Sequence, residues 1–425
     1  MSRLRRHLIT VLVGLLLALP IVYLFMVRPM MQLDAELQAA KTSLDIHDLA
    51  DAQAHLEAVL KLRPDHGEAH YLLAQTLRRQ EQYSQAQEHL DRARRYEWIA
   101  ELIELEERLA RAQRYGPRGE NEQILGTWIV IRHPEERVIF DALVRGYRTI
   151  YNLNAAMQTL NRWIERYPDD WRAYAMRAEI RELADYGDVT LADYDKALSL
   201  RPTAYPVHRD YGLLLLHRHI DVNRAAKHLE AALVGMPEDV TVMTALAECD
   251  RQNGNLQLAQ QRLATVLQHQ SGFGPALRLI GEMELHAGNT AMAIDYLERA
   301  QRATPADRDA LYQLEQAYRK GGTPEQVATT THQREQMEAD MRELVVLLGQ
   351  TLDKPSDADL RQQIGACMLR LHREDEAVAW FNSALGEQPN HVASHRALAD
   401  YYRDHQQPNQ AEMHRQQAES PMEKR

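Results

Sequence analysis

Cysteine is nearly absent from this chain: 2 occur in 425 residues, Cys249 and Cys367. No Cys-x-x-Cys pair is present, and two thiols 118 residues apart supply neither a disulfide framework nor a thiolate metal site. The redox compartment is left open. An excess of positive charge is also missing. With 50 Lys and Arg against 61 Asp and Glu the net charge is −11, which argues against a nucleic-acid binder because neutralising phosphates needs a basic face. The 19 histidines include no His-Glu-x-x-His spacing. Their densest group, His217, His219 and His228, begins with two residues that point to different sides of a helix end. His372, beside Glu374, Asp375 and Glu376, reads as a polar turn. Strand patterns, a glycine-rich phosphate loop and a nucleophile elbow are missing too, and Gly321-Gly322 lacks a following Lys-Ser/Thr. The expectation is a protein that is not an enzyme and holds no cofactor or metal.

Long apolar runs are limited to one. Residues 8–27 carry no charged side chain, and a helix of that length at about 1.5 Å per residue matches the roughly 30 Å hydrocarbon core of a bilayer. Arg3, Arg5 and Arg6 precede the run while only Arg28 follows closely. The positive-inside rule then makes residues 1–7 a cytoplasmic basic segment and 8–27 a transmembrane signal anchor in contact with the lipid bilayer. A removable signal peptide has a shorter core ending in small residues, whereas this run ends in Tyr23, Leu24, Phe25 and Met26. The rest of the chain is expected outside the cytoplasm, on the periplasmic side of a bacterial inner membrane.

What the chain does contain is a period. Pro168, Pro202, Pro237 and Pro305 recur at steps of 34 or 35 residues, with Ser271 where one member is missing. The same ruler reaches Pro134, Trp98 and Pro64 upstream, and Pro355 and Pro389 keep the step downstream. A fixed period of this length marks stacked helical hairpins. Counting from three residues after each proline, equivalent places carry equivalent side chains: Leu73, Ala74, Leu77, Ala86, Leu90 and Ala93 in one unit, and Tyr211, Gly212, Leu215, Ala225, Leu229 and Ala232 in another. Large and small residues alternate at three- and four-residue steps, the spacing of one helical face. Gly254-Asn255, Gly288-Asn289 and Gly321-Gly322 mark the turn inside a unit, and the proline stops the second helix.

This pattern resembles the tetratricopeptide repeat (TPR) family, with small residues at the eighth and twentieth places and proline at the thirty-second. The resemblance implies an all-α TPR superhelical solenoid over residues 33–418, about eleven helical hairpins after one N-terminal transmembrane helix, with a polar tail at 419–425. The units begin near Leu33, Gly67, Glu101, Arg137, Trp171, Tyr205, Val240, Gly274, Arg308, Ala358 and Val392. Two depart from the pattern. The unit at 101–136 puts Glu104, Glu107, Arg108 and Arg111 where a core face belongs and is broken by Gly116-Pro117. After the unit at Arg308 the next proline comes late, which leaves room for an extended helix at 324–352 with a seam of Met337, Met341, Leu344 and Leu348. That helix is expected to be an overlong second helix packed on its neighbours, with a projecting arm or a dimerisation helix as the alternative.

In TPR proteins the second, fifth, ninth and twelfth places of the first helices line the concave face. Carried onto this chain, those places give candidate partner-binding residues Tyr71, Gln75, Arg145, Arg148, Arg209, Arg278, Tyr312 and Arg396. The resemblance implies a scaffold or adaptor for protein–protein contacts in envelope-associated assembly, with a protein or peptide lying in the groove. Arginine and tyrosine there also suit an acidic glycan. The alternatives are therefore a polysaccharide-binding scaffold in envelope polymer export, or a tethered regulator of an envelope biosynthetic enzyme. Opposite charges pairing across adjacent helices is the plainer expectation for any one of these arginines.

Overall fold

The computed structural model describes residues 28–45, 48–131, 136–183, 188–351, 354 and 356–419. The expected anchor at 8–27 and the tail beyond residue 419 lie outside them. The described residues form 22 α-helices and no strand, an all-helical TPR-like solenoid. Among them no helix is long and apolar enough to cross a membrane. Contacts divide the chain into two units, one up to Gly146 and one from Tyr147.

The first unit contains α1 (Arg28–Asp45), α2 (Leu49–Leu62), α3 (Gly67–Arg79), α4 (Tyr83–Arg95), α5 (Ala100–Tyr115) and α6 (Gly119–Val130). Helix α7 (Glu136–Thr149) begins in it. The second unit continues with α8 (Leu153–Arg166), α9 (Trp171–Leu183), α10 (Asp188–Leu200), α11 (Tyr205–His217), α12 (Val222–Gly235), α13 (Val240–Gln252) and α14 (Leu256–His269). It closes with α15 (Gly274–His286), α16 (Thr290–Ala303), α17 (Arg308–Gly321), α18 (Pro324–Gln350), α19 (Ala358–Arg370), α20 (Glu374–Glu387), α21 (Val392–Asp404) and α22 (Pro408–Glu419). Helices α1 and α2, α3 and α4, α5 and α6, and from α9 onward each odd-numbered helix and the next, pair as hairpins.

The repeat-ending prolines act through the residue before them. Arg63, Tyr167, Met236, Thr304 and Gln388 cap their helices in an extended conformation, with φ between −143° and −134° and ψ between 64° and 96°. A following proline excludes the helical region at such a position. Gln270 holds the same conformation, φ −143° and ψ 90°, ahead of Ser271, so the stacked fold imposes the bend where proline is missing. Inside seven of the hairpins the fifteenth place turns left-handed. Gly254 and Gly288 sit there at φ 83°, while Glu81, Tyr151, His219, His372 and Gln406 take the same region at φ 50° to 64°. The ninth hairpin differs. Gly322 ends α17 at φ −96°, and Thr323 starts α18 with a capping box, so Gly321-Gly322 is not a left-handed turn.

Packing within a hairpin depends on the eighth place of the first helix. At Gly212, Gly281 and Gly365 an added Cβ would stand 2.7, 2.6 and 2.6 Å from the side chains of Leu229, Leu297 and Phe381 on the second helix. Buried residues then run from one hairpin into the next within each unit. One cluster joins Leu37, Leu56, Leu73, Leu77, Leu90 and Ile103 in the first unit, and another joins Tyr194, Tyr211, Leu215, Leu229 and Leu246 in the second. No hairpin closes a core by itself.

Two expectations shift in register. The charges of the third hairpin do not form its core: α5 starts at Ala100, its buried face is Ile103, Leu105, Glu106, Leu109 and Ala112, and Glu104 and Arg108 pair with each other at the surface. In α18 the buried seam is Met337, Asp340, Leu344 and Leu347, while Met341 is 37% exposed. The apolar count missed Asp340, whose carboxylate accepts from Arg370 at 2.8 Å and whose carbonyl accepts from the Cys367 thiol at 3.2 Å. Helix α18 is 27 residues long and packs on α17 and α19.

Within the second unit one contact spans more than two hundred residues. The carbonyl of Ile150, in the turn after α7, accepts from Ser383 Oγ at 2.6 Å and from Arg361 at 3.4 Å. Beside it the Tyr151 ring stacks on Trp380 with centroids 4.6 Å apart, and its hydroxyl donates to Glu376 at 3.3 Å.

These contacts predict unequal costs for glycine replacements. Gly281→Val, forced against Leu297, should destabilise the chain by about 2–3 kcal/mol. Gly254→Ala meets nothing within 4 Å and should cost only the left-handed strain of about 1 kcal/mol. Urea denaturation followed by circular dichroism checks the order.

Candidate functional site

Places two, five, nine and twelve step by three, four and three residues, so they share one face of each first helix. The structure shows what those side chains do on that face. In the first unit they turn inward. Tyr71, Gln75 and Arg78 are 6%, 9% and 1% exposed. The Arg78 guanidinium donates to Glu106 at 2.6 Å and to Gln113 at 2.8 Å, and Gln75 donates to the same Glu106 at 3.1 Å. Glu106 is itself 1% exposed. A buried carboxylate is tolerated only with such a partner, which is why α5 carries an acid on its packed side. Arg145, one turn on from Asp141, donates to it at 3.1 Å.

In the second unit the arginines build two kinds of rung between hairpins. From the twelfth place, Arg148 reaches Glu179 at 3.2 Å and Arg251 reaches Glu282 at 3.5 Å, each at the ninth place of the following hairpin. From the fifth place, Arg278 reaches Asp307 at 3.1 Å and Arg209 reaches Asp239 at 3.9 Å. Both aspartates are N-caps, since Asp239 accepts from the Thr241 and Val242 amides and Asp307 from the Ala310 amide. One carboxylate therefore starts a helix and holds the preceding hairpin. Arg209 also pairs with Asp210 at 2.8 Å, and Arg278 with Glu282 at 3.8 Å. Burial pushes the Asp210 carboxyl up, against the pull of Arg209. Burial also pushes Glu248 up, but hydrogen bonds from Arg251 and Gln252 outweigh it and hold that carboxyl low.

The ninth hairpin breaks the series. Its eighth place is Glu315, 2% exposed, where the other hairpins of this unit carry glycine or alanine. Glu315 accepts from Arg334 at 2.6 Å and Thr331 at 2.9 Å on α18, and also from Arg319. Burial raises its carboxyl, and these three donors more than offset that and keep it ionised. On the same hairpin Tyr312 is 49% exposed. Arg396 is exposed as well and lines a cleft of about 760 Å³ between α21 and α22, floored by Ala399, Ala411 and Ala418.

The structure thus spreads the eight candidate residues over separate hairpins, with Tyr71 and Gln75 buried, four arginines ion-paired, and Tyr312 and Arg396 open. Glu106 and Glu315 had not been expected. A charged residue standing where the repeat calls for a small or apolar one was the available signal for Glu106 and Glu315. Among the described residues no group of three His, Cys, Asp or Glu side chains is placed to hold a metal ion. Cys249 and Cys367 are free and buried, and burial pushes the Cys249 thiol up to about 12.

Known proteins match this chain mainly through its repeats. Residues 43–97 and 250–308 match two family models described as tetratricopeptide repeat, so the chain contains TPR repeats. No curated protein matches the sequence. Among solved structures it is similar to PilW, titled a type IV pilus biogenesis factor, at 21% identity over 46% of this chain and 90% of that one, with a TM-score of 0.42. PilF of Pseudomonas aeruginosa is similar at 18% identity over 47% and 90%, with a TM-score of 0.41. Human IFIT1 is similar at 16% identity over 83% and 90%, also at 0.41.

The two ionic arrangements should respond differently to truncation. Glu106→Ala, which strands a buried guanidinium, should cost about 3–5 kcal/mol, and Arg78→Met with Glu106→Leu should recover most of that. Arg278→Ala removes a partly exposed rung and should cost less than about 1 kcal/mol. Chemical denaturation of the three variants decides.

Proposed function

We propose that this protein is a membrane-anchored TPR scaffold whose first-helix face in the second unit holds a segment of a partner protein. The observation that supports the reading is the repeat itself. Hairpins of this kind present one polar first-helix face after another along a stacked array, and such faces bind extended or helical segments through many modest contacts. Here that face carries the partly open Arg209 and Arg278 and the open ring of Tyr312.

The ion rungs favour a peptide over an acidic glycan. Arg209 and Arg278 each sit between two carboxylates, so a polyanion would have to displace fixed acids, whereas a mixed peptide can exchange contacts with both signs. Support for anchoring comes from the uncharged run at 8–27 behind Arg3, Arg5 and Arg6, and the positive-inside rule favours an array outside the cytoplasm, near the envelope complexes it would help assemble.

Two experiments test this reading. In-cell crosslinking with mass spectrometry of the full-length chain should recover one recurring protein, and Arg209→Ala, Arg278→Ala and Tyr312→Ala together should lose it with helicity unchanged. Crosslinks that all survive the triple change would move the contact off this face. For topology, alkaline phosphatase fused after Arg425 should be active in cells, and a fusion active only with a cytoplasmic reporter would reverse the orientation.

A further inference from the structure

Three hairpins contain one arrangement of histidines. His70 on α3, His208 on α11 and His395 on α21 all stand at the fourth place, and each meets a histidine of the second helix, His89, His228 and His414. The Nδ1 to Nδ1 distance is 2.9 Å in all three, with ring centroids 5.0, 5.1 and 5.1 Å apart. The outer nitrogen Nε2 of each first-helix ring faces the carbonyl of the repeat-ending Pro64, Pro202 or Pro389 at 3.0, 3.1 and 2.9 Å.

Valence fixes the protons. A carbonyl only accepts, so Nε2 of the first ring carries hydrogen and its Nδ1, in the neutral ring, offers a lone pair. The second ring must then donate from Nδ1. The hydrogen bonds are complete with both imidazoles neutral; a proton at the outer nitrogen of the second ring keeps them but puts a charge on a ring that is half-buried or buried between the helices. A second proton has to enter at the bonded Nδ1, which sets two donors face to face and two positive charges one ring-stack apart.

We propose that these imidazole pairs make the hairpins α3/α4, α11/α12 and α21/α22 acid-sensitive joints, which open on acidification while hairpins without the pair stay closed. Burial, followed by the charge of the partner ring, lowers His89, His228 and His414 from 6.5 to about 4. An opened hairpin binds protons that the closed one refuses. The stabilisation is therefore complete above about pH 6.5 and is lost as pH falls from there through about 4.

The surroundings grade the effect. Around His70 and His89 stand Arg92 and Arg95 of α4, His66 at the start of α3, Glu57 of α2 and the stacked ring of Tyr96. Cations prevail there. His228 faces Arg224 on its own helix, Asp195 on α10 and the ring of Tyr211, so one acid partly offsets the arginine. His414 lies against the ring of Tyr402. The first hairpin supplies an internal contrast, because Glu36 and His55 take the corresponding places at 2.6 Å and the hydrogen bond that His55 donates to Glu36 raises that histidine.

Hydrogen exchange by mass spectrometry on the full-length chain at pH 7.5 and pH 5.0, corrected for intrinsic rates, tests the proposal. Protection over the three hairpins should fall about tenfold or more relative to α13/α14 and α15/α16. The triple variant His89→Gln, His228→Gln and His414→Gln, which still donates to the first ring but cannot take a charge, should keep its protection at pH 5.0. Wild-type hairpins that track the controls, or a variant that opens at the same pH, would overturn it. If circular dichroism shows the variant unfolded at pH 7.5, imidazole NMR of the wild type decides instead. Three resonances moving only below about pH 5 support the joints, and all histidines moving together near 6.5 refute them.

Discussion

Everything in this structure depends on how closely the two helices of a hairpin approach at the eighth place. Where that place is glycine, a leucine or phenylalanine of the second helix fills the space a Cβ would take. The close approach leaves no room for a core inside the hairpin, so the remaining large side chains face the next one. Burial is completed by stacking.

Polar chemistry enters this apolar framework only in paired form. Glu106, held by Arg78, and Glu315, held by Arg319 and Arg334, put ionised groups into places that the repeat reserves for small or apolar residues. Glu315 carries a further consequence for architecture. With a carboxylate at the close-approach place, the second helix of that hairpin must bring Arg334 and Thr331 to meet it, and α18 is the longest helix described. At the open face the same chemistry is weaker and more regular, because each rung arginine answers an acid one hairpin further on.

Much of the fold was legible because its signals are local. The proline step, the small residues and the glycine turns each act within a few residues of where they stand. First helices begin at Gly67, Trp171, Tyr205, Val240, Gly274, Arg308, Ala358 and Val392, the starts that the period marks. Errors arose where a residue's role depends on a partner in another hairpin. The charges of α5 and the seam of α18 were misplaced for that reason, since Glu106 and Asp340 are buried only because Arg78 and Arg370 come to them. The candidate face was less legible still: a place in the repeat names a direction, while neighbouring acids decide whether the side chain points into the stack, bridges it or stays open.

The sequence by itself determined the helices, their ends and their pairing into hairpins, because steric limits at proline, glycine and alanine operate over one turn of chain. Only the tertiary structure decided which charges of different hairpins meet. Only the tertiary structure brings the Ile150 carbonyl to Ser383 as well. Such contacts are set by the small rotation accumulated from hairpin to hairpin, and a rotation summed over many interfaces cannot be read from any one repeat.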